Sequence, residues 1–290
     1  MPHDQLFKEL INAFFREFVE LFFPQIAARI DFSRVEFLDS EVFTDIPEGD
    51  ARRPDVVAKV WTLEGMPEIL LYHIEVQATR NKSFPYRMFE YYALLRLRHK
   101  LPVLPSVLYL TPGAGGLTTE TYTESLFGQD IVSFRYHVIG LPDLHVEDWQ
   151  APGNPLAGAL HSGMKVSKHE RVARKLASVR EVFESRANEA QSALLLAVID
   201  NRLQLSAQED QEMETTAKAN PEPIADKYFT TVHAWGMHKA LLRQMKLKFG
   251  EVPSEIEFKV RTTMQEDKLL ALADRIITAE TLQDMQLTEN

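Results

Sequence analysis

The stretch "DVVAKVWTLEGMPEILLYHIEVQ", residues 55–77, constrains the fold more than any other part of the chain. Two largely apolar runs, 55–63 and 68–77, are separated by a short turn around Gly65-Met66-Pro67, and this predicts a β-hairpin. The second run ends in "HIEVQ". A glutamate and a glutamine two residues apart at the end of a buried strand are costly unless something pairs with them.

Side chains alternate across a strand, so Glu75 and Gln77 share one side, with His73 and Leu71 below them. A hairpin centred near Met66 sets Asp55 opposite Gln77 and Val57 opposite Glu75. Asp55 is then diagonal to Glu75, at roughly 7–8 Å between backbones. The pattern predicts that Asp55, Glu75 and Gln77 converge at one end of the hairpin. Two converging carboxylates repel, and a divalent cation removes the conflict. Oxygen donors in a chain without cysteine favour magnesium, with manganese able to substitute, over zinc.

The remaining elements are read from periodicity and punctuation. Residues 4–23 form an amphipathic helix stopped near Pro24, and 35–44 alternate as a strand. Residues 83–100 read as a helix with Pro85 in its first turn, 101–110 as a buried strand and 130–141 as another strand. Between the last two lies "PGAGG", expected as a flexible loop. From 154 to 205 the pattern is helical; 206–223 is polar and acidic and reads as a linker; 224–290 returns to helical periodicity, with Gly250 as a C-terminal cap. This gives a mixed α/β class, a central sheet flanked by helices, with an all-helical C-terminal extension. It differs from the βαβα alternation of a doubly wound dinucleotide fold. The expected domains are 1–205, with a core at about 1–150, and 224–290, joined by 206–223.

The net charge of −10 argues against a whole-surface nucleic-acid binder. Its distribution is uneven, however. Between Arg80 and Lys100 the chain carries Arg80, Lys82, Arg87, Arg96, Arg98, His99 and Lys100 against Glu90 alone among acids. Helical spacing puts Arg87, Tyr91, Leu94 and Arg98 on one face, suited to a phosphate backbone. The apolar N-terminus is broken by charges, as a signal peptide is not, and no run approaches the ~18 uncharged residues of a membrane span. A cytoplasmic protein without membrane contact or organic cofactor is expected.

Asp55 followed twenty residues later by "HIEVQ" resembles the Asp…Glu-X-Lys core of the PD-(D/E)XK nuclease superfamily, which has a restriction-endonuclease-like fold. Flanking blocks narrow the resemblance to the recombination-promoting nucleases of the Rpn type, also termed YhgA-like transposases. These blocks are "HDQLFKELI", "LFFPQIAARID", "FLDSEVF", "RRPDVVAKV", "FPYRMFEYYALLRLRH", "PVLPSVLYLT" and "FRYHVIGL". The resemblance covers most of residues 3–165, and 235–287 is similar to the helical tail of such proteins.

It implies a magnesium-dependent DNA endonuclease that hydrolyses phosphodiester bonds in DNA recombination. Asp55 and Glu75 would be metal ligands, with the Val76 carbonyl as a third and Glu17 or Glu20 of the first helix as a further acid. Gln77 stands where the superfamily has lysine and would orient water through neutral hydrogen bonds only. Lys59 or Arg53 could supply the missing positive charge. Arg80, Arg87 and Arg98 would hold DNA. A homodimer is expected because a double-strand break needs two active sites. The alternative is a catalytically weak member that binds nucleic acid or a protein; a third option is hydrolysis of a small phosphate ester.

Overall fold

The computed structural model describes residues 3–38, 56–75, 83–219, 237–238, 240–253, 256–257, 259–260, 263 and 265–285. Six strands form one mixed sheet: β1 (Ile30–Phe37), β2 (Val56–Thr62), β3 (Pro67–Glu75), β4 (Val103–Tyr109), β5 (Leu117–Leu126) and β6 (Gln129–Gly140). Their order across the sheet is β1-β2-β3-β4-β6-β5. Among the first three, each strand runs antiparallel to its neighbour. The chain then crosses over, so that β3, β4 and β6 are parallel, and β5 returns antiparallel to β6. The protein is therefore mixed α/β.

The crossover from β3 to β4 contains α4 (Phe84–His99), with Pro85 in its first turn and Lys100 closing it in a left-handed conformation. On the sheet face below α4, Val57, Val107, Tyr109, Phe134, Tyr136 and Val138 meet Phe84, Met88, Tyr91 and Leu95. Strand residues of one parity supply this face because side chains alternate across the strands. Before the sheet come α1 (His3–Ala13), α2 (Phe15–Phe22) and α3 (Pro24–Ala27); after it come α5 (Pro155–His161), α6 (Arg171–Glu184) and α7 (Glu189–Arg202). α1 packs on β2 and β3 and also meets α7, while α5, α6 and α7 pack on one another.

The single helix expected over 4–23 is two helices, broken at Phe14, whose backbone leaves the helical region (φ −128°, ψ 37°). The strand expected over 35–44 begins at Ile30 instead, because Ile30 and Asp31 already pair with Thr62 and Trp61. Residues 39–44 lie outside the described residues. A strand absent from the sequence reading, β5, pairs along its whole length with β6.

The chain divides into two compact units, residues 1–210 and 211–290. Of the polar segment expected as a linker over 206–223, 220–223 lie outside the described residues and α8 (Ala207–Ala219) is helical. Its start carries a reciprocal cap: the Ser206 N–H donates to Glu209 Oε2 (2.7 Å) and the Glu209 N–H to Ser206 Oγ (3.3 Å). The Ser206 N–H and hydroxyl, with the Arg171 guanidinium, hold the Glu209 carboxyl down to about 2. In the second unit, α9 (Glu266–Thr278) contributes Leu269, Leu272 and Ile276 to a core shared with Leu241, Met245 and Val260. Gly250 takes the left-handed conformation (φ +82°) that ends the helical run 240–249. Among the described residues no helix is long and apolar enough to cross a membrane.

Candidate metal and nucleic-acid site

The β2–β3 hairpin forms, but with another register than the one expected. Val57 pairs with Leu71 rather than Glu75, and Val56 with Tyr72. The turn explains the difference. It spans Leu63–Met66, with Gly65 at φ +86°, the Gly65 N–H donating to Thr62 O (2.8 Å) and the Met66 N–H to Thr62 Oγ1 (3.1 Å). Pairing thus closes at Trp61 and Pro67, and the offset from the expected register is even. An even offset leaves every residue on its original face.

Glu75 is the last residue of β3 and is registered beside Tyr109 of β4, which is itself registered beside Gly140 of β6. The carboxyl ends of three parallel strands therefore lie level with one another. Asp55, Val76, Gln77 and Arg80 lie outside the described residues, as does Arg53.

The basic residues of α4 separate into two places. Arg87 is half-buried, with its guanidinium carbon 5.0 Å from the centre of the Phe84 ring. Phe84 in turn packs on Tyr109 at 5.7 Å between ring centres. Through these two rings, Arg87 sits over the same end of β4 that lies beside Glu75. Arg98 is exposed and eleven residues further along α4, roughly 16 Å at the helical rise. Tyr91 and Leu95 between them belong to the core beneath the helix, so the expected common face for phosphate is not one continuous polar strip.

Arg98 lies in a second basic group, which sequence reasoning missed. Lys59 pairs with Glu36 (3.5 Å) and stacks on the Trp61 ring at 4.7 Å, and Arg34 approaches the same ring at 4.8 Å. Arg34 reaches it from an irregularity of β1 between Asp31 and Val35, a feature without a sequence signature. Burial chiefly, then the charges of Arg98 and Lys59, push the His99 imidazole below its ordinary pKa, so it is neutral at pH 7. Its Nε2 is buried and has no hydrogen-bond partner among the described residues.

Glu17 and Glu20 are half-buried on α2. Glu20 pairs with Arg16 (2.8 Å), and the Glu17 carbonyl accepts from Asn154 Nδ2 (2.9 Å). Both line a cleft of about 590 Å³ with Asn154, Arg186 and Gln191. Among the described residues, no group of three or more histidine, aspartate or glutamate side chains is arranged to hold a metal ion.

The glycine-rich loop read as flexible is held by one carboxylate. Asp143 accepts from the Gly113 N–H (2.9 Å) and the Gly115 N–H (2.8 Å). Burial, the largest single influence, raises its pKa, but the Gly113, Gly115 and Ala114 N–H groups and Lys165 outweigh it and hold the carboxyl below the usual range. A Cβ on Gly140 would stand 2.8 Å from Ala114 Cβ and 3.1 Å from Asp143 Oδ2, so the loop closes over a position without a side chain.

No family model, curated protein or solved structure matches this chain.

Proposed function

We propose that the protein is a magnesium-dependent DNA endonuclease of the PD-(D/E)XK superfamily, in the recombination-promoting nuclease branch, acting with DNA in the cytoplasm. The observation that carries the reading is the level carboxyl end of β3, β4 and β6, with Glu75 at its rim and Arg87 reaching the same end through Phe84 and Tyr109. Open sheets with parallel strands bind ligands in the crevice outside the carboxyl ends of those strands. An acid at that rim with a guanidinium nearby suits a phosphodiester better than a neutral ligand.

The donor chemistry fits a hard ion. Asp55 and Glu75 would hold magnesium through carboxylate oxygens, and the Val76 carbonyl is a third oxygen donor in the same stretch. When bound, the ion supplies polarisation of a phosphate oxygen and acidification of a water molecule. Gln77 would orient water by neutral hydrogen bonds only, so hydrolysis would be slower than with a lysine at that position. Arg87 and Arg80 neutralise phosphate near the reacting bond. Arg98, with Lys59 and Arg34, holds the strand farther along α4.

Plasmid nicking with magnesium tests the reading. The native chain should nick supercoiled DNA, and Asp55→Ala and Glu75→Ala should lose at least about a hundredfold in rate while retaining salt-sensitive DNA binding. Equal nicking by all three chains would overturn the assignment. Gln77 favours a second reading, binding without useful cleavage. Salt-sensitive DNA binding with no nicking by any of the three would select it.

A further inference from the structure

An open sheet has two edges, and each presents backbone N–H and C=O groups able to recruit another strand. At the β5 edge the ten residues Leu117–Leu126 are exposed except for the half-buried Glu120 and Tyr122. The strand contains neither proline nor lysine, and its irregularity with β6 leaves the extra residue, Ile131, on β6 rather than on β5. β5 is thus a regular strand at the sheet edge, and among the described residues no other strand pairs with its outer side.

The backbone phase is fixed. The Gly140 N–H donates to Gly116 O (2.8 Å), and pairing proceeds in register from Leu117–Ile139. By antiparallel alternation, Thr118, Glu120, Tyr122 and Glu124 direct their N–H and C=O groups to β6, while Leu117, Thr119, Thr121 and Thr123 direct theirs outward. We propose that these outward groups pair with the β5 strand of a second copy of this chain, antiparallel about a two-fold axis through Thr121.

Charge selects that register. Two-fold pairing that keeps each sheet face continuous joins residues of like parity. An axis at Tyr122 would set Glu120 against the partner's Glu124, and an axis at Glu120 would set it against the partner's Glu120; both are destabilising like-charge pairs. The axis at Thr121 sets Glu120 against the partner's Tyr122, Glu124 against the partner's Thr118 and Thr119 against the partner's Thr123. It also uses the greatest length of strand free of such a conflict. Phe127, at the hairpin tip just beyond the end of β5, is 95% exposed. The dimer rests on the sheet edge and is independent of the nuclease reading.

The chain has no cysteine, so Thr121→Cys introduces a sole thiol at the axis. Mild oxidation should convert this variant to a disulfide-linked dimer. Ser125→Cys, which faces the partner's Leu117, should stay uncrosslinked. By sedimentation the native chain should be a concentration-dependent dimer. Thr121→Lys should weaken association roughly tenfold or more with unchanged circular dichroism, and Thr118→Lys, facing the partner's Glu124, should tighten it. A native chain that remains monomeric across the concentration range overturns the proposal. So does Ser125→Cys crosslinking as readily as Thr121→Cys, or association unaffected by Thr121→Lys.

Discussion

The β2–β3 and β5–β6 hairpins belong to one sheet and have opposite surroundings. β2 has a strand on either side, and Val56, Val57, Ala58 and Val60 are all buried. β5 has one neighbour, and α4 covers only one of its faces, through Tyr122 against Tyr86 and Phe89. Its other face is a row of threonines at 119, 121 and 123. Strand sequence is therefore set by what the sheet puts beside the strand, more than by the pairing itself.

The largest test of that contrast places the same charge in both strands. Val60→Asp buries an unpaired carboxylate at a fully buried site and should cost about 4 kcal/mol or more, enough to unfold the first unit. Thr121→Asp at the exposed edge should stay within about 0.5 kcal/mol of the native chain. Urea unfolding at low protein concentration measures both. Equal losses would mean that β5 is as enclosed as β2.

Next in size is the carboxylate that fixes the loop leading into β5. Asp143→Ala leaves the Gly113 and Gly115 N–H groups without their acceptor and should cost about 3 kcal/mol. The native Asp143 carboxyl is held below its unfolded value. Its contribution is therefore fully present above the unfolded pKa and is lost as pH falls through the lower folded one. The stability difference between native and Asp143→Ala should shrink over that acid window. A difference independent of pH would show that the loop is held by packing.

A smaller loss is expected at the other hairpin. Gly65 has φ +86° and open space where a Cβ would stand, so Gly65→Ala is penalised by backbone conformation alone, at about 1–2 kcal/mol. A neutral result, read from the unfolding midpoint, would mean that the turn relaxes to another type.

The contrast between the hairpins also explains what could be read in advance. β2, β3 and β4 were legible because enclosed strands carry apolar runs. β5 was not, because "LTTETYTESL" has the alternation and β-branched content of a strand but little apolar signal. The pairing of β2 with β3 was legible in advance, whereas the register was not. Register depended on whether Glu64 or Met66 centred the turn, and on the Thr62 hydroxyl that caps it. For the basic helix, spacing revealed a stripe but not that Arg87 and Arg98 lie near different ends of the sheet. Arg34 meets Trp61 only through an irregular strand, and Asp143 meets its amides from thirty residues away. Long-range pairings of this kind leave no local pattern.

The smallest expected effect is a gain. Phe127 and Gly128 form the two-residue β5–β6 turn, with φ of 51° and 79°. Positive φ at both central positions is the type I′ geometry for which Asn-Gly is favoured. Phenylalanine gains nothing from packing at 95% exposure and bears the steric cost of the left-handed region. Phe127→Asn should therefore raise monomer stability by about 0.5–1 kcal/mol, measured by urea unfolding at low concentration. The same substitution should weaken self-association, because it removes the exposed ring at the end of the paired edge. A more stable monomer that associates less tightly would identify Phe127 as a residue kept for a contact between copies. A variant less stable than the native chain would instead tie the ring to the fold of its own hairpin.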